Sequence, residues 1–376
     1  MKYSYIFLLL ITAVWTRPAL AQTDSTSSPV YFETLQNGQT QFYFDEHYFL
    51  VAKDCPYKAI ERVGKYDIAL KNFDGDFVDY NNDGEAVLTG SYQKGKKEGL
   101  FTAYFANGQT KWQILFHADI PVDTVRYNYP DGLPMLEIRY DDGKVYVLNF
   151  WDTHRRQRVK DGEGKFEFAV KAEGYNEYGY IFTTYKGNIK NGKPDGNWDI
   201  FLEYDKGEKD YAGYERFEEG KFKTGYDEIN GMPYHTQSKI QIGPSLFFVQ
   251  AEEMLSKRCT VDEHEDFSMF MMRKLTKAFA LYDARNILIQ PIRLSIEAKV
   301  DKMGTLTSLD IPKGFANKEA DRVLLHTLAD ISYWIPSYGD GVYIDDTLNL
   351  TVDVTIDQES GQLQFYNLII ERKDGI

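Results

Sequence analysis

The chain has 376 residues, of which 57 are acidic and 43 are Lys or Arg, so its formal net charge at pH 7 is −14. A surface this acidic repels nucleic-acid phosphates and anionic lipid headgroups, and with no basic cluster expected to offset the charge, neither is predicted as a partner. Aromatic residues make up 15% of the chain, which is typical of folded, strand-rich proteins rather than disordered ones.

A signal peptide is predicted at residues 1–21. Lys2 gives a positive start, residues 5–15 form an apolar run, and Ala19-Leu20-Ala21 has the small residues of a cleavage site, so the mature chain would begin at Gln22. The alternative is an uncleaved anchor, although spanning a bilayer takes about 20 residues. We therefore expect a periplasmic or secreted protein with no stable membrane span after cleavage.

A strand-rich lead-in is predicted at residues 22–72, followed by a repeat domain at 73–242. The repeat frame is an aromatic residue, a few turn residues and a glycine. It occurs at Tyr80–Gly84, Tyr92–Gly95, Phe105–Gly108, Tyr129–Gly132, Tyr140–Gly143, Tyr204–Gly207 and Phe217–Gly220. Gly84, Gly108 and Gly132 follow at a constant interval, which indicates a repeat architecture. Because Asn-Gly and Asp-Gly pairs favour tight turns, the repeats are predicted to be stacked antiparallel β-hairpins.

One cassette within these repeats is more specific. It reads GKKEGLFTAYFANG from Gly95 and returns as GKPDGNWDIFLEYDKG from Gly192. With these strings, residues 73–225 resemble the MORN-repeat variant of YwqK-like proteins. The resemblance implies hairpins stacked side by side in an elongated sheet, and it implies no catalysis. It is weakest at 145–175, and the sequence leaves open whether that stretch completes the sheet or interrupts it.

The turn at residues 79–90, DYNNDGEAVLTG, has oxygen-bearing side chains spaced like the first ligands of a calcium-binding EF-hand loop. An EF-hand also needs a glutamate at the twelfth loop position, where this chain has Gly90. The flanking segments alternate like strands rather than helices. The sequence therefore predicts a hairpin turn here and no calcium site.

The two cysteines, Cys55 and Cys259, are widely separated and fall in different predicted domains. An exported protein could join them in a disulfide, and two buried free thiols are the alternative. The sequence does not fix the geometry that a disulfide needs, so both possibilities stay open.

The C-terminal region, residues 243–376, is predicted to be an α+β domain with helices on an antiparallel sheet. A helix at 265–282 would bury Met271, Leu275, Ala278 and Tyr282 as core rather than as a methionine-rich binding groove. Strands are predicted at 292–300, 306–311, 348–356 and 363–370, and a helix at 318–331 with Asn317 as its N-cap. The predicted fold class is thus mainly β with a C-terminal α+β domain.

Residues 268–357 resemble the C-terminal domain of TonB-type proteins. The resemblance rests on the strand IRLSIEAKV, the helix KEADRVLLHTLADI, the following Trp334-Ile-Pro336 and the strand LNLTVDVTI. It implies a domain that binds a partner strand by edge pairing. The chain departs from energy transducers because it lacks a dense proline-rich linker, so the resemblance concerns the fold more than energy coupling.

No catalytic, cofactor-binding or metal site is predicted. The six histidines form no metal-ligand pair, and no P-loop, nucleophile elbow or dinucleotide fingerprint occurs in the sequence. The cluster CTVDEHED at 259–266 is interpreted as the solvated acidic start of a helix. Exposed tyrosines of the repeats are interpreted as cross-strand packing rather than as a binding face.

Together these observations favour an exported, non-enzymatic interaction or scaffold protein of the bacterial cell envelope that binds an unidentified protein partner. Three alternatives are carried with it. They are a TonB-type energy-transducing component of outer-membrane transport, a toxin-neutralising YwqK-like protein, and an envelope hydrolase with an unrecognised site.

Overall fold

A computed structural model describes residues 28–376 except 142, 143, 206, 244, 245, 247, 281, 285, 286, 358 and 359. The predicted signal peptide lies outside these residues. The described chain is mainly β, with one long antiparallel sheet followed by a small sheet with helices, which confirms the predicted fold class.

The large sheet contains eighteen strands in the described residues. They are β1 (Phe32–Thr34), β2 (Thr40–Phe44), β3 (Ile60–Asp67), β4 (Asn72–Tyr80), β5 (Ala86–Gln93), β6 (Lys96–Lys97), β7 (Gly99–Tyr104), β8 (Thr110–His117), β9 (Ile120–Asn128), β10 (Pro134–Asp141), β11 (Lys144–Trp151), β12 (Gln157–Lys160), β13 (Glu163–Lys171), β14 (Phe182–Lys190), β15 (Lys193–Glu203), β16 (Lys209–Glu218), β17 (Lys221–Asp227) and β18 (Met232–Tyr234).

These strands form a continuous antiparallel meander in which neighbours in sequence are neighbours in the sheet. The two-residue strand β6 pairs with β5, which also pairs directly with β7. Strands β1 to β3 of the lead-in belong to the same sheet as the repeats. Strands β11 to β13 continue it through residues 145–175, so the stretch that the sequence left open extends the sheet.

The predicted turns are observed at the three glycines that follow at a constant interval, whereas the predicted turn at Tyr140–Gly143 includes positions outside the described residues. Gly84, Gly108 and Gly132 have φ of 80°, 78° and 80°, in the left-handed region that favours glycine. Each donates its N–H to the carbonyl three residues earlier, at 3.0, 2.8 and 2.9 Å. The side chain of Asn81 accepts hydrogen bonds from the backbone N–H groups of Asp83 and Glu85, as expected for an Asx turn.

One face of the large sheet packs into a core rich in aromatic residues. Edge-to-face and tilted ring contacts connect Phe77, Tyr92, Phe101 and Phe116 along successive strands, with centroids 4.9 to 5.7 Å apart. The short helix α1 (Phe248–Glu252) completes this core from beyond the sheet. Its Phe248 ring packs edge-to-face against Phe101, Trp112 and Phe116.

The C-terminal unit has a four-stranded antiparallel sheet in the order β20-β19-β23-β24, with a separate two-stranded hairpin. Its elements are α2 (Val261–His264), α3 (Phe267–Phe279), β19 (Ile292–Val300), β20 (Leu306–Lys313), α4 (Lys318–Ala329), β21 (Ser337–Gly339), β22 (Val342–Ile344), β23 (Asp346–Ile356) and β24 (Leu363–Arg372). The four predicted strands are confirmed. Asn317 also caps α4 as predicted, because its side chain accepts from the N–H groups of Glu319 and Ala320.

The buried stripe of α3 differs from the prediction. Phe267, Met271, Leu275 and Phe279 are each fully buried, at the i, i+4 spacing of one helix face. Tyr282 is 38% exposed, so its assignment to the stripe was wrong. Ala278 is partly buried and packs against this core, while its neighbour Phe279 is the fully buried residue of that turn.

No helix in the described part of the chain is long and apolar enough to cross a membrane.

Candidate functional site

The large sheet and the C-terminal unit are joined by a disulfide between Cys55 and Cys259, with Cα atoms 5.6 Å apart. The structure thereby decides between the two possibilities that the sequence left open. Next to the bridge, Leu50 donates its N–H to Leu255 O at 2.7 Å and accepts from Lys257 N at 3.1 Å. This short parallel pairing and the disulfide attach the segment that links the large sheet to the C-terminal unit to the loop between β2 and β3.

The acidic cluster at residues 259–266 is part of this junction and includes the acidic first turn of α2, as predicted, but the expectation that it is solvated was wrong for Asp262. Asp262 is 1% exposed and forms a bidentate ion pair with Arg372 at 2.6 and 3.0 Å. His264 stacks on Tyr57 with ring centroids 4.2 Å apart. The described residues contain no group of three His, Cys, Asp or Glu side chains arranged to hold a metal ion.

Asp79, the first residue of the EF-hand-like turn, faces the protein interior. Its carboxylate accepts hydrogen bonds from Arg62 Nε at 2.7 Å and Nη2 at 2.9 Å, and both side chains are fully buried. The guanidinium lies 4.2 Å from the centroid of the Phe77 ring. Burial alone disfavours its charge, but the negative charge of Asp79 outweighs this and raises the pKa of Arg62. Asp79 therefore stabilises the sheet rather than facing a solvent-exposed ion.

A cleft of about 780 Å³, which we call the β13 cleft, lies in the second half of the large sheet. Residues 165–169 of β13 line it, as do residues 152–154, Arg156 and Arg158 around the start of β12. Apolar surface comes from Tyr129, Met135 and Phe150, and polar surface from Thr184, Lys186, Asn188, Asn197, Asp199, Glu203 and Lys209. Its volume is in the range of ligand-binding sites.

The cleft arises because β12 is much shorter than β13. The two strands pair only at Val159 with Gly164 and at Lys160 with Glu163. Strand β13 then continues to Lys171 with β14 as its partner along the whole length. The other edge of β13, which faces β12, therefore has no partner strand after Gly164 among the described residues.

The direction of the backbone groups on this edge follows from the hairpin between β14 and β15. The two-residue turn of this hairpin makes Lys190 and Lys193 a pair whose backbone groups hydrogen-bond to each other. Because backbone groups alternate in direction along a strand, those of the next residue, Ile189, and of every second residue before it point the other way and bond to β13. Their partners are the even-numbered residues of β13, so the backbone groups of the odd-numbered residues face away from β14. The N–H and C=O groups of Glu167 and Ala169 consequently point into the cleft.

The charged side chains of the cleft are only partly paired. Asp152 and Arg156 form an ion pair at 2.9 Å, and Glu203 and Lys209 form another at 3.0 Å. Burial opposes the ionisation of Asp152, but hydrogen bonds from Arg156 and from backbone N–H groups outweigh it and lower the pKa of Asp152. Arg158 and Lys165 have no ion-pair partner among the described residues, and they flank the point where β12 and β13 separate.

The expectation that no basic cluster offsets the acidic surface was wrong. Residues 154–160 read HRRQRVK, and His154, Arg156 and Arg158 of this run line the cleft, with Arg156 paired to Asp152. The run was visible in the sequence, but its position in the degenerate repeat segment and the strong overall acidity obscured it. The unpaired edge of β13 had no sequence signal, because it depends on how far two strands stay in register.

Beyond the cleft, the outer face of the sheet presents aromatic pairs. Phe201 and Tyr211 are cross-strand partners with ring centroids 5.7 Å apart, and Tyr214 stacks on Tyr226 at 6.2 Å. Tyr211 is 45% exposed and Tyr214 is 37% exposed. The predicted cross-strand packing is confirmed, and the same rings keep a solvent-accessible surface.

A comparison with models of known protein families finds no match to this chain, and a search of curated proteins also finds none. The resemblances to MORN-variant repeats and to a TonB-type C-terminal domain therefore stay predictions from the motifs.

Proposed function

We propose that this chain is an exported, non-enzymatic interaction protein of the bacterial cell envelope, in which the large sheet is a scaffold surface and the C-terminal unit a second binding module. The observation that carries the proposal is the one-sided construction of the large sheet. Its inner face is filled by an aromatic core, while its outer face presents exposed aromatic pairs and a cleft. Extended surfaces of this kind suit extended protein partners.

Export is supported by the disulfide between Cys55 and Cys259, because such bonds persist in oxidising compartments such as the bacterial periplasm. The predicted cleavage after residue 21 points to the same compartment. Intact-mass measurement of protein recovered from the envelope tests this part. A mature chain beginning at Gln22 supports it, and a chain that retains residues 1–21 favours the anchored energy transducer instead.

The C-terminal unit offers a strand edge at β20, which pairs only with β19 in the part of the chain that the structure describes. The other edge, β24, is partly occupied, because Arg258 Nη2 donates to the carbonyl of Leu368 at 2.6 Å. The strand addition that the TonB-type resemblance implies would therefore use β20.

The test is site-specific photo-crosslinking of the full chain, tagged at its C-terminus, in its native envelope. A crosslinking amino acid is placed at Tyr211 or Tyr214 on the outer face, and in the control at Tyr343, which is 58% exposed on β22. A protein crosslinked from the outer face but not from the control supports the proposal. If neither outer-face position nor a position on β20 captures a protein above the control, the proposal is wrong.

The full chain is required because residues beyond the predicted domain boundary at 242 pack into the core of the large sheet. A chain ending at residue 243 would lack Phe248 and Ala251, which are 5% and 0% exposed in the core of the large sheet. It would also lose the disulfide. Loss of a partner in such a truncation would report the loss of folding rather than the location of a binding site.

A further inference from the structure

The strongest unexplained feature of the large sheet is the combination of an open strand edge and a cleft at the same place. The N–H and C=O groups of Glu167 and Ala169 point into the cleft and have no backbone partner among the described residues. Exposed backbone groups of this kind form a template for one more strand. The unpaired stretch, residues 165–171, would span about 23 Å at 3.3 Å per residue, enough for a peptide of about seven residues.

The side chains around this edge define the chemistry of the missing strand. Tyr129, Met135 and Phe150 supply apolar surface to the cleft, while Arg158 and Lys165 supply cations without ion-pair partners in the described chain. Since successive side chains of a strand point to opposite sides, a strand with alternating apolar and acidic residues would satisfy both surfaces. The carboxylate nearest the free edge is Glu167 of β13 itself, which pairs with Lys186 at 3.8 Å, and Asp199 lies opposite Lys186 on β15.

We propose that the β13 cleft binds an extended acidic segment of a partner protein, which adds as a strand to the free edge of β13 and places its carboxylates near Arg158 and Lys165. This inference rests on the proposed interaction function and names the site and partner chemistry. Charge complementarity favours this occupant, because Arg158 and Lys165 line the cleft without an ion-pair partner in the described chain, and Asp199 is the one described cleft carboxylate that also lacks such a partner. Backbone hydrogen bonds would give the affinity, and the charges would select the segment.

The probe is an acetylated, fluorescein-labelled heptapeptide of alternating Val and Glu, with a Val–Lys peptide for comparison. Fluorescence anisotropy is measured with the full oxidised protein. The acidic peptide should bind at least tenfold more tightly than the basic one, and its affinity should fall with added salt because the contacts are partly exposed ion pairs. Equal binding of the two peptides, or no binding of the acidic peptide at millimolar concentration, would overturn the proposal.

Two variants test the site directly. Ala169→Pro removes an N–H that faces the cleft while leaving the pairing with β14 intact, and Ala169→Val is its matched control because it keeps the N–H. Proline should weaken binding at least tenfold and valine should not.

Arg158→Glu tests the charge of the site without changing the β13 backbone, and it should also weaken binding tenfold. Its control Lys221→Glu, on exposed β17, should not weaken binding. Unchanged binding in both test variants would refute the site.

Hydrogen exchange separates strand addition from contact by charge alone. Bound peptide should slow amide exchange in the segment 165–171, and protection confined to β20 or to the outer-face tyrosines would refute the assignment. The inference and the proposed function can fail separately. If crosslinking captures an envelope partner but the peptide does not bind, the cleft assignment falls and the proposed function stands. If the peptide binds but no envelope partner is captured, the cleft assignment stands and the proposed function falls.

Discussion

Replacing Asp79 with alanine leaves the guanidinium of Arg62 charged in a site where both side chains are fully buried. Two hydrogen bonds of 2.7 and 2.9 Å are lost, and the buried charge keeps only the aromatic faces around it, with Phe77 nearest at 4.2 Å. Removing one partner of a buried ion pair costs about 3–5 kcal/mol of unfolding free energy, and the remaining cation–π contact places the expected loss near the lower end.

The double variant Arg62→Met, Asp79→Leu removes both charges and fills the site with apolar atoms. Because no unpaired charge remains, we expect it to be clearly more stable than Asp79→Ala and close to the wild type. Urea denaturation followed by tryptophan fluorescence, with Trp112 and Trp198 in the core of the large sheet, measures the midpoints. A double variant as unstable as the sum of the single variants would refute the reasoning.

The C-terminal unit supplies a matched control with the same fork geometry but different burial. Arg293 Nε and Nη2 donate to Asp353 at 2.6 and 2.8 Å, yet the Arg293 side chain is 56% exposed. Water solvates Arg293 when its partner is removed, so Asp353→Ala should lower the unfolding midpoint far less than Asp79→Ala. Equal losses at the two sites would show that burial does not set the cost.

Three further predictions concern the junction and the two sheets. Cys259→Ala opens a loop of 204 residues, for which chain entropy gives a loss of about 5 kcal/mol in the oxidised protein, and reductant should not lower the urea midpoint of this variant further. Hydrogen bonding to Arg293 lowers the pKa of Asp353 from 3.8 to about 2, so the stability difference between the wild type and Asp353→Asn should be complete above pH 4 and vanish as the pH falls through 2. Phe248→Ala should cost about 3–5 kcal/mol and increase trypsin cleavage, whereas Val249→Ala, at a position 53% exposed on the same helix, should change neither.

Local sequence patterns predicted most of the regular structure. Strand β19 was predicted at residues 292–300 and is observed there, because strict alternation between core and solvent leaves one face to bury. The turns at Gly84 and Gly108 were predicted for a related reason, since few residues other than glycine adopt their backbone angles without strain. In both cases the information lies within a few consecutive residues.

Contacts that depend on register between strands could not be predicted. Arg62 and Asp79 meet because β3 and β4 pair with these two residues opposite each other. Read along the chain, Asp79 is the start of a polar turn and Arg62 an ordinary charged strand residue. The cleft could not be predicted for the same reason, because the open edge of β13 exists only where its neighbour β12 ends early. The basic run at residues 154–160 could have drawn attention to the region, but it could not show what the cations surround.

The core of the large sheet extends beyond its last strand, β18, and beyond residue 243, where the C-terminal domain was predicted to begin. A helix of five residues has too few positions for a periodic pattern, so nothing local shows that Phe248 fills the core of the sheet. The chain then pairs with Leu50 and reaches Cys259 before the second unit begins. Because packing, backbone pairing and a covalent bond all act on this one connection, partners bound to the two units would be held at a fixed separation. The scaffold function that we propose would use this spacing, which a flexible linker between the units would not provide.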